Sequence, residues 1–394
     1  MRLLFFWAPA LLASAVLVNA ETATERGFDH FYNLEFDQAI DAFQKALEEQ
    51  PEDPKRHLRV VQGLLYREML RSGALESELV SGNNPFLSRQ KMVLNADNDT
   101  RLQQAIARAM ELCKQRLAAN ANDVDALYAD GVAHALRGNY NFLVRKAWTD
   151  ALKDATQARK RHARVRELRP EMVDALMVEG LHDYVVGSLP WTYKMLGFIV
   201  GFRGDKQAGI RALQTVAAKG NLNRTDAKVL LAVVYRRERM PQQAIPLLLD
   251  LMKDYPRNYL YRFELVQMYA DAGDKNKALA ALAELDRLKQ TGTAALRAMP
   301  GEKINFSRGN LLFWYRDYDE AIRELRKAAG KRQQLDLNTA SMTFLRLGQC
   351  LDMKQNREQA VDAYRSAIEI APDSDAARQS KQYLNTPYKR AKNS

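Results

Sequence analysis

The feature that most constrains this chain is a spacing. A small residue is followed 12 positions later by Ala, then 4 further on by a bulky side chain and 7 further on by a small or apolar one. Five segments obey it: Gly27/Ala39/Phe43/Ala46, Ala232/Ala244/Leu248/Leu251, Val266/Ala278/Leu282/Leu285, Gly309/Ala321/Leu325/Ala328 and Gly348/Ala360/Tyr364/Ala367. Two antiparallel helices approach to about 8–10 Å only where small residues face each other at the crossing. The schedule therefore predicts helical hairpins, with the bulky residue filling the groove beside each crossing and the second small residue admitting the next unit. Pro51, Pro256 and Pro372 close three of the segments, stopping the second helix where the chain must turn. Elsewhere after Glu21 apolar residues recur at three and four without sustained alternation, and 12 Pro and 19 Gly are few for the length. An all-α fold is predicted and a sheet-based one excluded.

These residues resemble the tetratricopeptide repeat, a unit of about 34 residues with this small, aromatic, Ala and Pro order. The last unit carries Phe344, Leu347, Gly348, Leu351, Ala360, Tyr364, Ala367 and Pro372 in register, and segments 225–258 and 259–292 lie 34 apart. The resemblance covers 21–53 and 225–372. It implies an α-solenoid of six or more antiparallel hairpins from Glu21 to about Leu384, acting as a protein-interaction scaffold. It also implies a groove read by the second, fifth, ninth and twelfth positions of each first helix. Carried onto this chain, those positions are Asp226, Val229, Val233 and Arg236, then Leu260, Phe263, Gln267 and Ala270. The next two units supply Lys303, Phe306, Asn310 and Phe313, then Met342, Leu345, Gln349 and Asp352. The candidate binding set is Asp226, Arg236, Phe263, Gln267, Lys303, Phe306, Asn310, Phe313 and Gln349. Aromatic rings beside amides and charges suit an extended protein or peptide segment. The carboxylate clamp of this repeat class is not reproduced, because Val229 and Val233 stand where Lys and Asn are needed.

Residues 54–224 read as degenerate repeats. Gly131 and Gly180 look like the small residue of two further first helices, with displaced partners; from Gly180 to Ala208 is 28 positions instead of 12, an insertion of 16 residues. The inserted stretch, 188–204, is apolar and holds Trp191, Tyr193, Phe198 and Phe202. With its Gly201-Phe202-Arg203-Gly204-Asp205-Lys206 continuation, the segment 170–220 resembles the eukaryotic tetratricopeptide family related to the mitochondrial outer-membrane inclusion-body clearance protein. That resemblance implies a non-enzymatic role linked to lipid metabolism and aggregate clearance. Just before it runs a basic helix with Arg159, Lys160, Arg161, Arg164, Arg166 and Arg169 against the single acid Glu167. Two readings stand. The insertion packs onto the solenoid and the cations are a solvated face, or Trp191, Tyr193, Phe198 and Phe202 dock to a membrane or partner with Arg159, Arg161 and Arg164 beside them.

Function classes narrow further at the termini and in the composition. Arg2, the apolar run from Leu3 to Val18 and the small-residue site Val18-Asn19-Ala20 read as a secretory signal cleaved before Glu21, the alternative being a retained membrane anchor, for which this run falls just short of a span of about 20 residues. Export to the periplasm or cell envelope follows. A basic tail, 385–394, is expected to be disordered. Lys+Arg minus Asp+Glu is 59 − 48 = +11, which favours acidic partners. An anionic membrane surface fits better than nucleic acid, since no stacking module is interleaved with the basic residues. Cys113 and Cys350 are too distant for a disulfide within an extended array and read as core. The five His form no metal-ligand spacing, and neither a nucleophile elbow, a phosphate loop nor a dinucleotide fingerprint occurs. No cofactor, metal or enzymatic activity is expected. The primary reading is an exported scaffold that assembles or tethers an envelope complex; the alternative is a peripheral membrane or lipid-binding protein using 189–202 and the basic helix 159–169.

Overall fold

The computed structural model describes residues 21–75, 91–188 and 204–390. Segment 1–20 with its cleavage site, residues 189–203 with Trp191, Tyr193, Phe198 and Phe202, and residues 391–394 lie outside the described residues. No strand occurs among the described residues. Helices pair in sequence as hairpins: α1 (Ala23–Tyr32) with α2 (Phe36–Glu49), α3 (Pro54–Arg71) with α4 (Ala96–Ala119), and α5 (Val124–Tyr140) with α6 (Trp148–Leu168). Then come α7 (Leu176–Gly187) with α8 (Lys206–Lys219), α9 (Arg224–Arg237) with α10 (Pro241–Asp254), and α11 (Tyr259–Asp271) with α12 (Lys275–Thr291). The last pairs are α13 (Gly301–Trp314) with α14 (Tyr318–Gly330) and α15 (Leu337–Met353) with α16 (Arg357–Ile370), closed by α17 (Asp375–Asn385). Side-chain caps start many of them: Thr22 and Glu25 form a reciprocal capping box on α1, and Asp53, Asn95, Asp123, Asp205, Asn258, Asp336 and Ser374 accept from first-turn amides.

The spacing acts at the crossings as predicted, with one refinement. The bulky residue lies directly over the small one instead of beside it. A Cβ on Gly27 would sit 2.4 Å from the Phe43 ring, one on Gly309 2.6 Å from Leu325, and one on Gly348 2.5 Å from the Tyr364 ring. Any side chain there would push the two helices apart. A second regularity accompanies the first. Leu34, Arg239, Gly273, Arg316 and Gln355 all have positive φ, and each stands 7 positions after the small residue of its unit. The following N–H always returns to a carbonyl five residues back, from Glu35 to His30, Met240 to Tyr235, Asp274 to Tyr269, Asp317 to Leu312 and Asn356 to Leu351. Four of these five left-handed residues are not glycine, so the closing hydrogen bonds must offset about 1–2 kcal/mol of backbone strain in each.

The degenerate units are hairpins as well. Gly131 is covered by His162, with Ala158 and Val165 completing a buried triad on α6. From Gly131 to Ala158 is 27 positions, and the extra residues lengthen both helices, which are joined through a π turn at Asn141–Arg145 and the left-handed Lys146. Asp154 ties this junction together, accepting from Arg137 at 2.6 Å, the His134 Nδ1 at 2.8 Å and the Asn141 amide at 3.0 Å. In the next unit the residue facing Gly180 is Gly209, not Ala208. A Cβ on Gly209 would come within 2.6 Å of the Gly180 carbonyl and 2.5 Å of the Tyr184 nitrogen, so only glycine lets α7 and α8 meet backbone to backbone. Where the insertion leaves and re-enters, a Cβ on Gly187 would lie 2.4 Å from the Lys206 nitrogen. Its two ends touch, and the helical pair is undisturbed. Cys113 and Cys350 are free and buried, and burial pushes both thiols up to about 12.

Candidate partner-binding groove

Odd-numbered helices form the inner wall of the solenoid. In the first half this wall closes on itself. The turn between α10 and α11 carries Arg257, whose guanidinium donates to Asp29 at 2.5 Å and Glu35 at 2.8 Å, while its backbone N–H donates to the Asn33 side chain at 2.9 Å. The Asn258 amide donates to the Tyr32 carbonyl at 2.7 Å, and the Tyr32 and Tyr255 rings stack 4.9 Å apart. Burial pushes the Glu35 carboxyl up, and hydrogen bonds from Arg257 and His30 more than reverse it. Asp29, His30 and Glu35 bring ligand-type atoms within 4.8 Å of one another, but Arg257 already neutralises this cluster.

Inside that closure lies Asp226, the first of the predicted groove residues. The residue as a whole is half-buried, while its carboxyl group is buried and hydrogen-bonded to Tyr32. Burial raises its pKa to about 6, against a hydrogen bond donated by Tyr32 and the nearby Arg59. Asp226 thus serves an intramolecular contact.

Over the later units the predicted set divides. Arg236, Phe263, Gln267, Phe306 and Asn310 are half-buried. Arg236 pairs with Glu264 at 2.7 Å, Gln267 donates to Asp271 at 2.7 Å, and Asn310 accepts from Arg346 at 2.8 Å. Lys303, Phe313 and Gln349 are buried. Lys303 lies 6.0 Å over the Phe263 ring and 3.8 Å from Asp336, and burial lowers its pKa to about 8. Gln349 accepts from Arg346 at 2.7 Å.

Phe313 is covered by the chain's own end, residues 386–390 of the stretch expected to be a disordered tail. The Tyr388 N–H donates to the Asp352 carboxylate at 2.7 Å, and its ring lies 5.9 Å from Phe313 and 5.3 Å from Tyr383. Arg390 donates to the Phe313 carbonyl at 3.1 Å, with its guanidinium 5.3 Å over the Trp314 ring. Arg357 fixes the approach by holding the Tyr383 and Leu384 carbonyls, each at 2.7 Å. Basic composition alone gave no sign of this, because ring contacts and hydrogen bonds to the main chain set the tail's path.

The basic helix, α6, is partly committed to its neighbours. Arg161 donates to the buried Asp130 at 2.7 Å, Arg164 to Glu167 at 2.7 Å and Asn122 at 2.9 Å, and Arg166 to Glu179 at 2.5 Å. Arg159 and Lys160 are exposed. Among the described residues no helix is long and apolar enough to cross a membrane.

Two stretches of this wall match tetratricopeptide-repeat family models, residues 229–293 and 343–374. These stretches are tetratricopeptide repeats. The matches include Phe263, Gln267 and Gln349 and leave 170–220 outside. Solved structures similar to this repeat protein include yeast Tom70, at 11% identity and a TM-score of 0.41, covering 93% of this chain and 89% of that one. A tetratricopeptide repeat protein from Parabacteroides merdae shows 12% identity and a TM-score of 0.33, covering 82% and 97%. The APC/C hetero-tetramer Cut9-Hcn1 shows 12% identity and a TM-score of 0.38, covering 92% and 75%. No curated protein matches the sequence. Proteins of this repeat family are generally non-catalytic interaction scaffolds.

Proposed function

We propose that this repeat protein is a non-enzymatic, exported scaffold that takes an extended segment of a partner protein along the inner wall of α9, α11, α13 and α15, assembling or tethering a complex in the cell envelope. The observation that carries the reading is the run of half-buried Phe263, Gln267, Phe306 and Asn310 on successive first helices. Rings spaced along such a wall accept alternate side chains of an extended peptide, and the amides between them can satisfy its backbone. The signal segment supports export, and a mature N-terminus at Glu21 in the exported fraction is its test. For the scaffold itself, the measurement is in-cell crosslinking and co-purification of wild type against Phe263→Ala/Phe306→Ala. Loss of a specific protein partner from the variant supports the reading; retention of every partner, or recovery of lipid alone, overturns it. The membrane alternative has less support, since Arg161 and Arg164 are engaged within the protein.

A further inference from the structure

We infer that the groove between α13 and α15 recognises an extended segment bearing an aromatic residue and, two positions later, an arginine, and that residues 386–390 occupy it as a built-in, displaceable ligand. This rests on the scaffold reading above and names the chemistry of what the groove takes.

Three observations converge on it. The first is the path. Tyr388 binds Asp352 and Arg390 binds Phe313, and these two are the twelfth positions of successive first helices. The tail therefore runs along the groove from one unit to the next. The second is the mode of contact. Tyr388 and Arg390 are half-buried while Pro387 and Lys389 are exposed, the in-and-out alternation of an extended strand. Main chain is read by a carboxylate whose side chain is only 1% exposed, and side chains are read by rings. The third is the modest hold. Arg390 and Arg346 lie over the same pair of rings, at 5.3 and 4.9 Å from Trp314 and 5.8 and 4.8 Å from Phe313. Like charges so placed oppose each other, which weakens the tail's grip without removing its geometry. A partner segment of the same chemistry can then exchange with the tail.

The test uses a fluorescein-labelled peptide spanning 384–394 and the mature chain with and without residues 386–394, read by fluorescence anisotropy. The shortened chain should bind the peptide saturably, the intact chain at least tenfold more weakly. A peptide with Tyr388→Ala and Arg390→Ala should lose at least tenfold, and so should the shortened chain carrying Trp314→Ala, whose ring is 43% exposed and open to substitution. Circular dichroism and a urea melt establish that the shortened chain is folded. Should it not fold, the full chain with Tyr388→Ala/Arg390→Ala takes its place and should bind the wild-type peptide. Equal binding by intact and opened chains, or binding indifferent to Trp314, overturns the inference. If it fails while Phe263→Ala/Phe306→Ala still loses its crosslinked partner, the scaffold reading survives alone; if both fail, the groove itself is refuted.

Discussion

The two halves of the inner wall are finished in opposite ways. In the first, residues more than 220 positions apart in sequence, Asp29 and Arg257 among them, lock α1 to the turn before α11. In the second, a five-residue strap crosses the wall. A repeat array touches mainly its neighbours and gains stability unit by unit. The first half has added a long-range contact that ties distant units into one cooperative body, whereas the second keeps the independence that lets a groove exchange its occupant.

The sharpest way to break this contrast is Tyr32→Ala. Removing a buried aromatic costs about 3–5 kcal/mol, and its ring joins α1 to Tyr255. Denaturation should become biphasic, with a larger radius by small-angle scattering at low urea. Next in size is Asp226→Asn. The folded state holds the Asp226 proton to about pH 6, well above the usual carboxylate range. Stability from that proton is full below the unfolded pKa and is lost as pH rises through about 6. Asparagine can still accept from Tyr32 but carries no charge, so the variant should exceed wild type by up to about 3 kcal/mol at pH 7.5 and by little at pH 4. Urea midpoints across that range check it. Arg257→Ala should cost about 1–3 kcal/mol, because Glu35, with 14% of its side chain exposed, loses its main partner. In the second half, Arg390→Ala should lower the unfolding free energy from urea melts by less than about 1 kcal/mol, as for other surface substitutions. A comparable loss at Arg390 and Arg257 would erase the distinction between lock and strap.

Much of this architecture was legible in the sequence because each hairpin is specified locally. Gly348 and Tyr364 are 16 positions apart, and nothing distant alters what they need. The degenerate units were partly legible too. Ala158/His162/Val165 and Gly209/Leu213/Val216 keep the 4-and-7 spacing of the second helix; only their distance from Gly131 and Gly180 changed, so the triad sought by itself would have found them. Ala208 was preferred over Gly209 because the schedule asks for alanine, whereas the backbones here approach too closely for any Cβ. The left-handed turns were invisible, since Leu, Arg and Gln do not announce positive φ as Gly273 does. The groove was the least legible part. Lys303 and Phe313 occupy wall positions by register, yet Asp336 and Tyr388 engage or cover them from elsewhere in the chain, while Gln349 is engaged by Arg346 one turn earlier on its own helix. No local pattern encodes which wall positions a distant segment will claim.

The pinch where Gly187 meets Lys206 has a consequence for how this protein can change. A segment whose ends already meet adds only a slowly growing entropic term as it lengthens. That junction is a splice port: sequence can be lengthened, shortened or exchanged there while α7 and α8 keep their register, so a new specificity can be acquired in one step without redesigning the solenoid that displays it.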